Sequence, residues 1–172
     1  MGPSHREAFE GASVFAEGSY QTPLGTVPIA KDLARGIVSC GGADVQAGWA
    51  GHRVQTDPFQ LGPRGEHALE VQLPFMQRAL DDLRIVPVVV GQYDLAMCAR
   101  IGDAIANAIG DLRVLLVVSS DLYHGERDRT CRESDARTLS AIDMVDVDVL
   151  SSGLKSRDVQ ACCGGPILLA MR

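Results

Sequence analysis

Residues 85–118 read IVPVVVGQYDLAMCARIGDAIANAIGDLRVLLVV, and this stretch decides the fold class. Its two ends, residues 85–90 and 114–118, are uninterrupted apolar runs, as expected for strands buried on both faces of a sheet. Between them, Asp94 is placed to cap a helix that Gly110 ends. Strand, helix and strand in this order predict an α/β fold, in which a central mainly parallel or mixed sheet carries helices on both faces.

The sequence on either side of this stretch predicts further short elements. Apolar periodicity and turn residues predict strands at 12–16 and 26–30 around a turn at 22–25, and helices at 32–38, 66–80, 131–145, 146–155 and 167–171. Asp32 is predicted to cap the first of these helices, and Pro166 to occupy the first position of the last. Pro74 should kink or break the helix at 66–80. The Gly-rich residues 40–65 predict a flexible or site-covering loop.

The composition bounds the class of protein. The chain has 172 residues, enough for a single domain with a hydrophobic core. A net charge of −6 argues against nucleic acid as a partner, because phosphate binding needs a basic face. No apolar run approaches the roughly 20 residues that span a bilayer, which argues against a membrane protein. Five cysteines, an odd number without Cys-x-x-Cys spacing, fit a reduced cytoplasmic protein.

Four short polar signatures carry most of the residues capable of chemistry. They are Gly-Pro-Ser-His at 2–5, Glu-His-Ala-Leu-Glu at 66–70, Ser-Ser-Asp-Leu-Tyr-His-Gly at 119–125 and Ala-Cys-Cys-Gly-Gly-Pro at 161–166. Three of the four histidines fall inside them. Metal ligands and proton carriers are drawn from these residue types, so the pattern predicts one converging site.

The third signature is the strongest of the four. It follows the predicted strand 114–118, and ligands in α/β sheets bind beyond the carboxyl ends of the strands. Asp121 and His124 are three residues apart and could share a metal or pass a proton. The plainer alternative is an N-cap aspartate beside a surface histidine.

The other signatures also have plainer alternatives. His5 stands close to the N-terminus, where residues are commonly disordered. His67 could lie on a solvated helix face, or one of its neighbouring glutamates could orient its ring. Cys162 and Cys163 precede a predicted helix, where a thiolate is favoured and could ligate a metal, or they are two small residues in a tight turn.

Taken together and in this order, the signatures resemble the MEMO family, also known as the protein B group of the AmmeMemoRadiSam system. The matching segments are residues 2–5, 22–25, 66–75, 85–91, 119–125 and 161–167, which extend over essentially the whole chain. The family is similar to class III extradiol ring-cleaving dioxygenases, which bind non-haem iron in an α/β fold of the LigB type.

This resemblance implies a site. It suggests a metal pocket for iron (Fe²⁺) or copper with His5, Cys162 and Asp121 as metal residues. It suggests His67, His124 and Asp121 as catalytic acids and bases. Where the family usually has Cys-Gly, this chain has Cys162-Cys163, so either cysteine could be the ligand. The family also carries a Pro-His-Ala-Gly segment before Gly-Pro-Ser-His, with the first pocket histidine, and closing strands after the last helix. The resemblance therefore implies a single but partial MEMO-like domain over residues 1–172.

Three functions follow from the resemblance. The first is a metal-binding protein with an iron or copper pocket. The second is an extradiol-type dioxygenase that acts on a catechol-like substrate, and the third is a non-catalytic module that binds a small molecule or peptide. The system name also implies a radical enzyme as a partner. Exposed sheet edges would favour self-association.

Overall fold

The computed structural model describes residues 1–52 and 66–172. These residues form a mixed four-stranded sheet, a separate two-stranded hairpin and six α-helices. The strands are β1 (Gly2–Pro3), β2 (Ala12–Val14), β3 (Ser19–Thr22), β4 (Gly25–Pro28), β5 (Val45–Ala47) and β6 (Val88–Val90). The helices are α1 (Lys31–Gly41), α2 (Leu73–Ala79), α3 (Leu95–Ile109), α4 (Asp128–Asp143), α5 (Val147–Ser156) and α6 (Gly164–Ala170).

The sheet has the order β1-β6-β2-β5. β6 runs parallel to β1, with Gly2 opposite Val89, and antiparallel to β2, with Ser13 also opposite Val89. β5 lies parallel to β2. All three valines of β6 are buried, which confirms the buried strand predicted at 85–90, although it is shorter. The predicted α/β fold with a mixed sheet is confirmed.

Helix α3 joins the two halves of the core. Asp94 caps it as predicted, because its Oδ1 accepts a hydrogen bond of 2.6 Å from the backbone N–H of Met97. Ile101 and Ile105 pack with the sheet and α1, whereas Cys98 packs with residues of α4, α5 and α6. One amphipathic helix therefore contributes to both apolar clusters.

Several helix starts differ from the sequence predictions, and three of these differences concern a capping residue or a proline. The helix predicted at 66–80 begins as a 3₁₀ turn at Glu70–Gln72, and α2 starts only at Leu73, with Pro74 in its first turn. Proline is tolerated there because the first N–H groups of a helix need no intrahelical partner. Asp32 does not cap α1, which begins at Lys31, and Pro166 is the third residue of α6 rather than the first.

Three strands were not predicted, namely β1 at Gly2–Pro3, β3 and β5. β3 pairs with β4 in an antiparallel hairpin, with Tyr20 opposite Val27. β5 follows a 3₁₀ turn at Gly42–Asp44, so the predicted loop 40–65 is wrong over these residues. Residues 53–65 of that loop lie outside the described residues.

The predicted buried strand at 114–118 is wrong for the described structure. The segment is neither helix nor strand, and Leu115 is 69% exposed. Its end lies beside β1: the Met1 amine donates to the Val117 carbonyl at 2.5 Å, and the Ser119 N–H donates to the Met1 carbonyl at 2.9 Å. These two hydrogen bonds have the pattern of neighbouring parallel strands. The pairing stops at Met1, so residues 113–116 have no neighbouring strand among the described residues.

Within residues 1–52 and 66–172, no helix combines the length and the apolar character needed to cross a membrane.

Candidate functional site

Two histidines and a glutamate lie together just beyond the carboxyl end of β1. Ligand atoms of His5, Glu66 and His67 all fall within 4.8 Å of one another. The two imidazole rings stack with centroids 4.9 Å apart and an interplanar angle of 13°. Both histidines are exposed, whereas Glu66 is only 4% exposed beneath them.

Glu66 is held by four hydrogen bonds. Its Oε2 accepts from the backbone N–H of His5 at 2.6 Å, and its Oε1 lies 2.9 Å from Nδ1 of the same ring. Oε1 also accepts from the backbone N–H groups of His67 at 2.8 Å and Ala68 at 3.1 Å. Burial alone would raise the pKa of Glu66, but the bonds from His5 and His67 outweigh it and hold the pKa below its usual value.

The same contacts determine which ring nitrogen of His5 carries the proton. An ionised carboxylate can only accept hydrogen bonds, so the ring nitrogen that faces Glu66, Nδ1, carries the proton. In the neutral ring Nε2 is then left with a free lone pair. Glu66 therefore orients His5 as a carboxylate orients a metal-binding histidine.

The local sequence explains why these residues meet. β1 pairs with the central strand β6, and the N–H of Ser4 continues this pairing by donating to the Val90 carbonyl at 2.8 Å, so His5 lies directly past the strand end. A Cβ on Gly2 would lie 2.7 Å from the Cβ of Ala68. Glycine at position 2 therefore lets the segment that follows Glu66 approach β1 closely.

A second group joins the third and fourth signatures. The N–H of Cys162 donates to the Asp121 carbonyl at 2.9 Å, and the N–H of Asp121 donates to the sulfur of Cys162 at 3.1 Å. The N–H of Cys163 donates to Oγ of Ser120 at 3.2 Å. Nε2 of His124 lies 3.5 Å from Oδ2 of Asp121, an exposed pair that solvent screens.

The two adjacent cysteines differ in accessibility. Cys162 is exposed, whereas Cys163 is fully buried. Burial raises the pKa of the Cys163 thiol far above its usual value, and the charges of Cys162, Glu66 and Asp121 raise it further. Cys163 is thus a protonated packing residue, and Cys162 is the sulfur that a ligand can reach.

The structure therefore separates the predicted site residues into two groups. His5 and His67 come together around Glu66, whereas Asp121 contacts both Cys162 and His124. The second group also contacts Cys163, whose backbone N–H donates to Oγ of Ser120. Among the described residues, His5, Cys162 and Asp121 do not form a cluster with ligand atoms within 4.8 Å, so that metal set stays a prediction.

Sequence reasoning missed the roles of Glu66 and Ser120. Glu66 was considered as an orienting partner of the adjacent His67, but its carboxylate binds the ring of His5, 61 positions away. A local sequence pattern cannot predict contact between two residues so far apart in the chain. The only signal was an acidic residue beside a histidine in a segment too polar for a core.

Another buried polar pair lies close to the sheet. Nε2 of His52 is 2.9 Å from the Ser13 carbonyl, which can only accept, so this nitrogen carries the proton. Nδ1 then accepts from the Tyr20 hydroxyl at 3.2 Å. Burial lowers the pKa of His52, which keeps the ring neutral.

The comparisons with known proteins identify the family of the chain. The family model for Memo-like protein matches residues 1–172. The chain belongs to this family. A MEMO1 family protein of Methanosarcina acetivorans is 32% identical over 170 residues, which cover 97% of this Memo-like chain and 58% of the relative. The corresponding proteins of Thermotoga maritima (29% identical over 168 residues) and Thermoplasma acidophilum (31% over 172) cover 97% and 99% of the chain. The chain spans 58%, 56% and 59% of the lengths of these three relatives, respectively. The resemblance inferred from the signatures is confirmed.

Proposed function

We propose that this Memo-like chain binds a redox-active transition metal, ferrous iron or copper, through the imidazoles of His5 and His67. The observation that carries the proposal is the cluster in which the ligand atoms of these two histidines and Glu66 lie within 4.8 Å of one another. Imidazole suits both metals. Both rings are exposed, so an ion can reach them from solvent.

Glu66 serves the proposed site as an orienting residue. Both of its oxygens already accept hydrogen bonds from the protein, so its carboxylate holds the ring of His5 in place. With Nδ1 occupied in this way, Nε2 of His5 is the nitrogen that would hold the metal. An orienting carboxylate of this kind typically contributes 10–100-fold to metal affinity.

The second group contains further side chains of types that bind metals or carry protons. Cys162 offers an exposed sulfur that already accepts an N–H from Asp121, and a thiolate favours cuprous copper over ferrous iron. Asp121 offers an exposed carboxylate and His124 an exposed imidazole, and the two side chains lie 3.5 Å apart. A bound metal of this type would supply one-electron redox chemistry.

Metal titration of the purified protein tests the proposal. We expect saturable binding of ferrous ion under anaerobic conditions and of cuprous ion, measured by calorimetry. His5→Ala and His67→Ala should each weaken binding at least about tenfold, and Glu66→Gln about 10–100-fold. Cys162→Ser should weaken cuprous binding more than ferrous binding. Cys40→Ser, which alters another exposed cysteine, is the matched control and should have no effect. Unchanged binding of both metals by a His5→Ala/His67→Ala double variant would reject the site.

The second candidate is extradiol cleavage of a catechol-like substrate. It is favoured by the donor types present, since two histidines and a carboxylate bind iron in many non-haem oxygenases, and Asp121 rather than the hydrogen-bonded Glu66 would be that carboxylate. His67 or His124, the latter with Asp121, would then remove a proton from the substrate. Iron-loaded protein should consume oxygen in the presence of catechols. If the protein binds iron but shows no oxygen uptake, it is a metal-binding protein without this activity. If it binds no metal, the remaining hypothesis is a module that binds a ligand or peptide.

A further inference from the structure

His5 lies within a short turn, residues 4–7, that is closed on itself and bonded to a second segment. Oγ of Ser4 donates to the Glu7 carbonyl at 2.6 Å and accepts from the Glu7 N–H at 3.3 Å. Oε2 of Glu7 accepts from the N–H of Gly51 at 3.0 Å. We propose that Ser4 and Glu7 are positioning residues, which fix the His5 ring so that Nδ1 faces Glu66 and Nε2 is left for a ligand. Their effect on metal binding rests on the function proposed above.

Both ends of this turn are anchored to the central strand β6. At its start, the N–H of Ser4 donates to the Val90 carbonyl at 2.8 Å. At its end, Glu7 bonds to Gly51, which has a φ of +68° and lies so close to β6 that a Cβ there would be 2.5 Å from a methyl carbon of Val89. Only glycine permits this approach. The turn is therefore held to β6 directly at Ser4 and through Gly51 at Glu7.

The contact between His5 and Glu66 needs a fixed backbone. The N–H of His5 and its Nδ1 reach different oxygens of one carboxylate, at 2.6 Å and 2.9 Å. Both contacts form only when backbone and ring are correctly placed, because hydrogen bonds weaken steeply away from their preferred geometry. Glu66 is buried and also holds the N–H groups of His67 and Ala68, so it cannot follow a displaced His5. The ring of His67 stacks on that of His5 and depends on its placement.

Opening the turn should release the ring of His5 from Glu66. His5 is exposed, so burial does not confine its ring, and the bonds that close the turn supply much of the restraint on its backbone. Once the ring leaves Glu66, the carboxylate no longer keeps the proton on Nδ1, and the neutral ring populates both tautomers. A ring with its proton on Nε2 cannot bind a metal through that nitrogen, so the metal affinity should fall.

Nitrogen-15 NMR of the imidazole rings tests the inference in the metal-free full chain. The shifts of the two ring nitrogens show which one carries the proton, and the His5 signals are those missing in His5→Ala. We expect the Nδ1–H tautomer in the native protein and a mixture of tautomers in Ser4→Ala and Glu7→Ala. Ser4→Thr keeps the hydroxyl and Glu7→Gln keeps an acceptor oxygen, so both should retain the native tautomer. Glu10→Ala, which removes another exposed glutamate of the same segment, is the matched control.

Metal titration measures the consequence for the proposed site. Ser4→Ala should weaken ferrous or cuprous binding about 3–10-fold, as expected for the loss of one or two hydrogen bonds, and Ser4→Thr should restore it. A native tautomer in both alanine variants would overturn the inference even if their Tm is lower, because a merely structural role would not move the proton. So would unchanged metal affinity of Ser4→Ala when the native protein binds metal. If the native protein binds no metal but the alanine variants show mixed tautomers, the proposed function fails and the positioning of His5 is supported.

Discussion

The hydrogen bonds to Glu66 predict a large effect from a nearly isosteric change, Glu66→Gln. The buried carboxylate accepts N–H groups from His5, His67 and Ala68 and faces the ring of His5. An amide keeps only one of the two acceptor oxygens. Whichever way it is turned, at least one backbone N–H faces an NH₂ group, and the remaining bonds lose the negative charge of their acceptor.

The cost follows from these losses. A buried donor left without a partner costs about 1–3 kcal/mol, and the bonds to a charged acceptor are stronger than those to a neutral one. Together they predict that Glu66→Gln lowers the free energy of unfolding by about 3 kcal/mol at pH 7. For a chain of this length, that corresponds to a fall in Tm of roughly 6–12 °C.

The same bonds predict a pH dependence. The pKa of Glu66 lies below its ordinary value of 4.5 in the folded protein, so the folded state binds this proton less readily than the unfolded state. The stabilisation is complete above pH 4.5 and is lost as the pH falls through the folded-state pKa. The difference between the native protein and Glu66→Gln should therefore shrink as the pH is lowered from 7 to 4.

Urea denaturation at several pH values measures this difference, and Glu70→Gln is the matched control. Burial raises the pKa of Glu70, and the charge of Glu66 raises it further, so removing the Glu70 charge should change stability by less than about 0.5 kcal/mol or increase it slightly. The reasoning is refuted if both variants are equally stable at pH 7, or if the Glu66→Gln deficit is the same at pH 4.

Three further predictions concern the rest of the fold. Because burial lowers the pKa of His52 below its ordinary 6.5, the unfolded state binds its proton more readily, and stability should fall as the pH drops below 6.5; a Tm unchanged between pH 7.5 and 5.5 would contradict this. Gly11→Ala should destabilise by at least about 2 kcal/mol in urea, since φ is +77° and the new Cβ would collide with the Asp44 carbonyl; a native midpoint would show that the turn relaxes. Leu150→Ala, in the fully buried centre of the α4–α6 cluster, should cost about 2–5 kcal/mol in the same assay, and a loss below 1 kcal/mol would mean that the cluster collapses into the cavity.

The sequence was most informative where structure depends on neighbours along the chain. Helix α3 has its cap, its apolar stripe and its terminal glycine within 17 residues of sequence, from Asp94 to Gly110, and the structure shows all three. β6 is recognisable because a strand buried on both faces needs an uninterrupted apolar run. Such features depend little on which other segments pack against them.

The sequence was least informative where a distant partner decides the outcome. Residues 114–118 are as apolar as β6, but β6 has a strand on each side, whereas residues 114–116 have none among the described residues. β5, Val45–Ala47, lies in a Gly-rich stretch and is a strand only because β2 lies beside it. The role of Glu66 could not be predicted for the same reason, since it depends on contact with His5, which is distant in the sequence.

The two groups of the candidate site differ in how strongly the rest of the fold fixes their positions. His5 and His67 are tied to a buried carboxylate and to the central strand β6, so their positions follow from the most buried part of the fold. Asp121 and Cys162 lie just past a segment whose described backbone contacts are confined to Met1. Asp121 and Cys162 are instead held to each other by two hydrogen bonds, from the Cys162 N–H to the Asp121 carbonyl and from the Asp121 N–H to the Cys162 sulfur. Loss of the Glu66 carboxylate should therefore displace the histidines and leave the Asp121–Cys162 pair in place.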